Sequence, residues 1–476
     1  MNQPVPINMR SNIQDDVILP RVFVTAVVLY LVAVAVVYLQ WRPILAYAAL
    51  AGPLGFIVAT QPRLALYQYL FCLYIHYFVI ESIPLLLSDL SAALLIMAAA
   101  VDLLTDNSLP KRLPRLSFNF VALLAALVVA AVFGHDMTAS FRPLARISLL
   151  FMTFLALYRL TGRVGVGHLL RLAFWLAVGH SILVVMPFIA SGGMLRSFGF
   201  SGKVFDELTM FAVPIGLSLY LFSERGKGGK YLLGSLVTLL GLLATQSRAP
   251  IMFAALALIV VLFLARRKGR STAGAIDAGG DIQKDIPATR RVYRLLLAGV
   301  VVAPLIVLMT PGVLTALIGR FERLMTLEPG GTFALRMVLW KTALTAFWDN
   351  PITGVGPGLF RSLSDFYPTL HLTPVYYYVR NLSAHNLFLH YLAESGLIGA
   401  TALMALFVNQ FRLGVVGWRT AIPRHFGQAT ALMGVSFLFL ISTLIESGWM
   451  WGQLGFIMVF YLSLLVRSVA TKPGES

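Results

Sequence analysis

Apolar runs of about 20 residues recur along this chain, separated by short stretches that carry most of its arginine, lysine and proline. Runs of that length match the hydrocarbon core of a bilayer, where a spanning segment must satisfy its own backbone hydrogen bonds. The alternating pattern of a barrel strand is nowhere visible, so the runs are read as helices. The pattern predicts spans at 22–40, 44–60, 64–86, 89–105, 118–135, 143–160, 168–190, 204–223, 231–247, 249–266, 292–312, 386–411, 427–445 and 448–467. The expected fold class is therefore all-α, a polytopic membrane bundle of about 12–14 transmembrane helices. The first run is long for a signal-peptide core and shows no convincing cleavage site, so it is read as an uncleaved span.

One interruption is large. From Pro311 to His385 no run is long enough to span, yet "TFALRMVLWKTALTAFWDNP" places Phe333, Met337, Trp340, Leu344 and Phe347 on one helical face. Asn350-Pro351 ends that helix and "GVGPG" supplies turn residues. Such a helix lies on a membrane surface or caps the bundle. Four regions follow: N-terminal spans over 1–190, further spans over 191–310, a large outer loop over 311–385, and C-terminal spans with a short tail over 386–476. Residues 269–289, rich in Gly, Ala and Asp, read as a flexible linker.

Charge orients the bundle. Basic residues gather in loops 106–117, 159–171, 224–230, 266–294 and 412–424. With both termini cytoplasmic, every one of these loops is cytoplasmic too, as the positive-inside rule requires. The 476 residues are 58% hydrophobic and 12% charged, with mean hydropathy +0.82, which excludes a soluble domain. The net charge of +17 is accounted for by topology and anionic head groups, and no nucleic-acid partner is implied. A single cysteine, Cys72, excludes an internal disulfide and a cysteine metal site.

Arginines on the opposite face are not explained by that rule. Arg196 stands in "MLRSFGFSG" before the span near 204, and Arg248 in "ATQSRAP" at a tight junction between two spans. Arg320, Arg323, Arg336, Arg361 and Arg380 lie in the large loop. Guanidinium groups fork onto phosphate oxygens, so several on one face suit a diphosphate head group. The alternative is that they snorkel to the interface. For Arg248 the short junction favours function, because a charge close to a bundle interior is costly to keep.

His385 opens "SAHNLFLHYLAESGLIGA" on that same face, where a neutral imidazole can act as general base. It can equally be an interface residue bonded to backbone. His390 and Glu394 run deeper into the span and are read as packing or helper groups, and His180 as a satisfied intramembrane histidine. There is no phosphate-cradling Gly-rich loop before a helix, no paired-histidine zinc motif and no Asp-x-Asp near an outer span end. No metal ligand and no cofactor are expected, and arginine would supply the positive charge that a metal supplies elsewhere.

Four stretches resemble the O-antigen ligase and polymerase superfamily. "SAHNLFLHYLAESGLIG" is similar to its loop-exit motif of His, ten residues, then Gly, met here by His385 and Gly396. "LRMVLWKTALTAFWDNPITGVGPGLF" resembles the segment before it, "TQSRAPIM" the family arginine, and "LRSFGFSG" an upstream Arg-x-x-Gly stretch. Met252 stands where the family more often has valine or leucine, and the upstream stretch lacks a following asparagine. The resemblance covers about residues 190–450.

What it implies is a glycosyltransferase of the bacterial inner membrane, working at the periplasmic face. Its donor would be an undecaprenyl-diphosphate-linked glycan, and its acceptor the lipid A-core or a second lipid-linked glycan. Arg196 and Arg248 would hold the diphosphate, Arg336 and Arg380 would assist there or at the acceptor, and His385 would be the base. The motifs serve ligase and polymerase equally, with the His-ten-Gly pattern favouring the ligase. A transporter of the same lipids would instead place charges along a midplane path with repeat symmetry. A non-catalytic assembly partner would tolerate loss of His385.

Overall fold

The computed structural model describes residues 58, 60–74, 78–80, 85–106, 113–191, 205–223, 227–276, 332–363, 382–445 and 452–470. The chain divides at Gln61 into two compact units, and everything described below belongs to the second, Pro62–Ser476. The predicted spans 22–40, 44–60 (apart from its end) and 292–312 lie outside the described residues.

Twelve α-helices are present among those residues. They are α1 (Pro62–Cys72), α2 (Leu87–Thr105), α3 (Ser117–Phe133), α4 (Met137–Val164), α5 (Val166–Ala190) and α6 (Phe205–Leu221). Then come α7 (Gly229–Ala244), α8 (Arg248–Ile276), α9 (Thr332–Asp349), α10 (Leu387–Thr420), α11 (Phe426–Ser442) and α12 (Gly452–Ala470). Seven stretches, in α2, α4, α5, α8, α10, α11 and α12, are long and apolar enough to cross a membrane, and α3, α6 and α7 are shorter apolar helices. This is a multi-pass helical membrane protein.

One prediction needs correction. The apolar run 64–86 is not a single helix: α1 ends at Cys72, and a short antiparallel pair, β1 (Phe78–Ile80) and β2 (Leu85–Leu86), precedes α2. The β-forming run Phe78-Val79-Ile80 favours a strand, and Pro84 lacks the amide that a continuing helix would use.

Contacts between helices fix the direction of each. The Lys268 ammonium donates to the Arg419 carbonyl at 3.1 Å and sits over the rings of Trp418 and Phe426. This joins the end of α10, the start of α11 and the far part of α8. Arg467 of α12 lies over Tyr158 of α4, while Arg146 of α4 lies over Phe456 near the start of α12, so α4 and α12 run parallel. Gly417 of α10 approaches Val469 of α12, Gly167 of α5 approaches Gln428 of α11, and Gly427 of α11 approaches Phe222 after α6. Consecutive helices from α2 to α8, and again from α10 to α12, therefore alternate in direction. One end gathers Arg163, Lys268, Arg419, Arg424 and Arg467; the other gathers the starts of α4, α8 and α10.

The most enclosed span is α12, packed against α4, α10, α11 and α5. Aromatic rings fill its surroundings: Phe211 and Phe439 lie 4.5 Å apart, and Tyr461 lies 5.4 Å from Phe211. Elsewhere small residues let backbones meet, which is how helices associate where lipid supplies no hydrophobic drive. Gly216 of α6 and Gly234 of α7 both receive the ring of Phe174 from α5, and a side chain at either would overlap it.

Candidate active site

α9 is the helix expected in the large loop, and it ends, as expected, at Asn350-Pro351. Its packing face differs from the predicted one. Leu339, Thr342, Ala343 and Ala346 are buried, while Met337 and Leu344 of the predicted stripe are exposed. The reason is the partner: α9 packs on α10, and close approach there selects small side chains over the bulkiest ones. Leu339, Ala343 and Ala346 join Val355, Leu359, Phe360, Leu363, Ala384 and Ala393 in one apolar cluster. That cluster ties α9, the following turns and the entrance of α10 into a single body.

The turn "PITGVG" is built into α10 itself. α10 breaks at Gly396, whose φ of 58° and ψ of −158° lie in a region essentially reserved for glycine. The carbonyls of Ala393 and Glu394 accept from the amides of Val355 and Gly356, both at 2.9 Å. The amides of Leu397 and Ile398 donate to the carbonyls of Pro351 and Ile352 at 2.9 and 3.3 Å. A side chain on Gly396 would overlap the Ile352 carbonyl, and one on Gly354 the backbone of Glu394. The amides of Val355 and Gly356 are thus committed to structure, and the Gly-rich stretch is no phosphate cradle.

Glu394 and His390 brace the same region. His390 Nε2 lies 3.3 Å from Glu394 Oε1, with both residues buried on successive turns. That oxygen also accepts the Phe360 amide at 3.0 Å, and the Phe360 ring lies 5.0 Å from the His390 ring. Glu394 thereby anchors the turn that follows the glycines, a structural role for the pair. Four-residue spacing on a helix was the signal for the pair; its long-range acceptor role had none.

His385 sits at the mouth of this body. It is half-buried, and its backbone adopts φ 48°, the left-handed region that few non-glycine residues occupy. Three bonds enforce that conformation. The Trp340 indole N–H donates to the Ala384 carbonyl at 3.0 Å, and the Leu387 amide donates to the Thr443 carbonyl at 2.8 Å. Asn386 caps α10, its Oδ1 accepting the Leu389 amide at 3.0 Å. Strained backbone held by its surroundings clusters at functional sites. Nothing in the sequence pointed to Trp340 or Thr443 as partners of this segment, because both bonds are long-range.

Arg248 begins α8 directly after a tight turn. Gln246 there has φ 53°, Thr245 Oγ1 donates to the Leu242 carbonyl at 2.7 Å, and the Ser247 amide donates to Thr245 Oγ1 at 3.2 Å. Lys268 lies at the opposite end of α8, so Arg248 occupies the same end of the bundle as His385. Arg336 stands one turn before Trp340 on α9, on the side from which Trp340 reaches Ala384. Arg196 and Arg380 lie outside the described residues. The helix ends that flank Arg196, those of α5 and α6, belong to the His385 end. Among the described residues no group of three or more His, Cys, Asp or Glu is placed to hold a metal ion.

Residues 233–404 match the O-antigen ligase family. No curated protein matches the chain. The matched stretch contains Arg248, Arg336, Arg380, His385 and Gly396, and excludes Arg196. Over this stretch the chain is similar to the O-antigen ligase family, in keeping with the resemblance carried by its motifs, and its helices are those of a multi-pass membrane protein.

Proposed function

We propose that the protein transfers a glycan from an undecaprenyl-diphosphate donor to an acceptor hydroxyl at the periplasmic membrane face, as an O-antigen ligase does. The observation that carries this reading is His385, held in a strained backbone at the bundle end that also presents Arg248. His385 takes the proton of the acceptor hydroxyl as its oxygen bonds to the anomeric carbon. The bond from that carbon to the diphosphate oxygen breaks, and undecaprenyl diphosphate leaves with the electron pair. Attack opposite the leaving group inverts the anomeric centre.

Arg248 meets the charge that develops on the diphosphate. It does so from the first turn of α8, where the helix dipole adds to its own charge. Arg196, Arg336 and Arg380 contribute further guanidinium groups to the diphosphate or the acceptor. Guanidinium charge aimed at the leaving group stabilises the transition state without a metal ion.

The test uses purified protein, a lipid-diphosphate glycan and a panel of acceptors: lipid A-core, a second lipid-linked repeat and a pilin-like protein. Release of free undecaprenyl diphosphate that His385→Ala abolishes supports the reading. No release with any acceptor overturns it in favour of transport or scaffolding. The acceptor that is used separates ligase from polymerase, and a product of retained configuration contradicts the single displacement.

A further inference from the structure

α9 has two apolar sides, and packing on α10 uses only one. On the other, Met337 is 47% exposed, Leu344 41% and Trp348 73%, and Ile352 just beyond the helix is 63% exposed. A spacing of seven and four residues keeps Met337, Leu344 and Trp348 in one row on the side away from Leu339, Ala343 and Ala346, and Ile352 follows in the turn after the helix. Lys341 and Thr345 complete that side, and a lysine stem suits a surface where its ammonium can reach water. An exposed apolar row of this size on a rigid element marks an interaction surface.

The row does not stop at α9. The amide of Ile398 donates to the Ile352 carbonyl, so Ile352 lies beside the break in α10. From there Leu397 and Ile398, then Met404 and Val408, are exposed down one side of α10. α10 is itself long and apolar enough to cross a membrane, and its exposed apolar side is a lipid-facing side. Ile352 thus brings the end of the α9 row beside the exposed apolar residues of α10.

We propose that the Met337–Leu344–Trp348–Ile352 edge of α9 is immersed in the acyl chains of the leaflet at the His385 end. Trp340, on the flank of the same helix beside this row, carries the bond to Ala384. The lipid contact therefore helps fix the height of His385 relative to the bilayer. This reading stands on the apolar edge alone and does not depend on the reaction assigned above.

The experiment places spin labels, in a Cys72→Ser background, on full-length protein in phosphatidylcholine and phosphatidylglycerol nanodiscs. Leu344→Cys, Trp348→Cys and Ile352→Cys each replace an exposed side chain, and three positions guard against misfolding of any single variant. Dissolved oxygen, which concentrates in acyl chains, is expected to relax all three labels more strongly than a water-soluble nickel chelate does. Stronger relaxation by nickel would place the edge in water and overturn the proposal. Shielding from both reagents would mean that a protein surface covers it, and would overturn the proposal equally.

Discussion

The two ends of the bundle hold their charges by different means. At the basic end, charged side chains are held by ion pairs and aromatic rings, with Lys268 and Arg159 donating to main-chain carbonyls as well. Asp102 of α2 is buried between Arg159 and Arg163 of α4, at 2.6 and 2.7 Å, and Asp106 takes a second contact from Arg163. Lys268 and Arg467 rest on aromatic rings. At the other end Asp89 and Arg146 also form an ion pair, but around His385 the main chain does the holding: the bonds that position this residue and the glycine turn run largely to carbonyls and amides. Side-chain pairing suffices where charges must only be kept at the membrane edge. Presenting an imidazole in a strained backbone needs bonds to the residues on either side of it.

The sharpest way to break that contrast is His385→Ala. On the proposed mechanism this variant is expected to lower turnover by roughly 10²–10⁴-fold, measured as release of undecaprenyl diphosphate, with the melting midpoint held near the parent value. An unchanged rate would erase the distinction between the ends. Arg248→Ala is expected to cost about 10²–10³-fold in turnover, with partial recovery in Arg248→Lys, which keeps charge without the fork.

Asp102→Ala probes the other end. Removing one partner of a buried ionic cluster costs about 3 kcal/mol of stability, read from thermal unfolding in detergent, while turnover per folded molecule stays at the parent level. A smaller effect comes from Trp340→Phe, which keeps the ring and removes one hydrogen bond. On the order of 1 kcal/mol of stability is lost, and turnover falls with it because Ala384 adjoins His385.

The smallest expected effect concerns pH. Asp136 caps α4, and the Thr138 hydroxyl, then the Ala139 and Thr138 amides, hold its carboxyl below the usual carboxylate range. A depressed folded-state value means the cap's contribution is present above the ordinary carboxylate pKa and vanishes as pH falls through the depressed one. Melting midpoints of the parent and Asp136→Ala should differ at neutral pH and converge in acid.

Much of this was legible in the sequence, for reasons that are local. Apolar run length located α2 to α8 and α10 to α12, and the short "TQSR" junction correctly predicted a tight turn before Arg248. α9 was visible from its periodicity and its Asn-Pro terminus. The side on which α9 docks was not, because Ala343 and Ala346 are chosen by the closeness of α10 and not by their own hydrophobicity. The run 64–86 misled because apolar content alone does not separate one long helix from a helix followed by a short hairpin. For the candidate site, residue type and position singled out His385 and Arg248, which lie at the same end of the bundle. The partners that hold His385, Trp340 and Thr443, are 45 and 58 residues away in the chain, and no periodicity reports such pairings.

The break in α10 carries an implication for any attempt to shorten the protein. At Gly396 the ordinary ladder bonds from Leu397 to Ala393 and from Ile398 to Glu394 are replaced by a strand of "PITGVG" slotted between them. Excising that turn would leave two donors and two acceptors of the helix backbone without their partners. The turn is thus bonded into α10 in place of its own ladder, and trimming this protein must begin elsewhere.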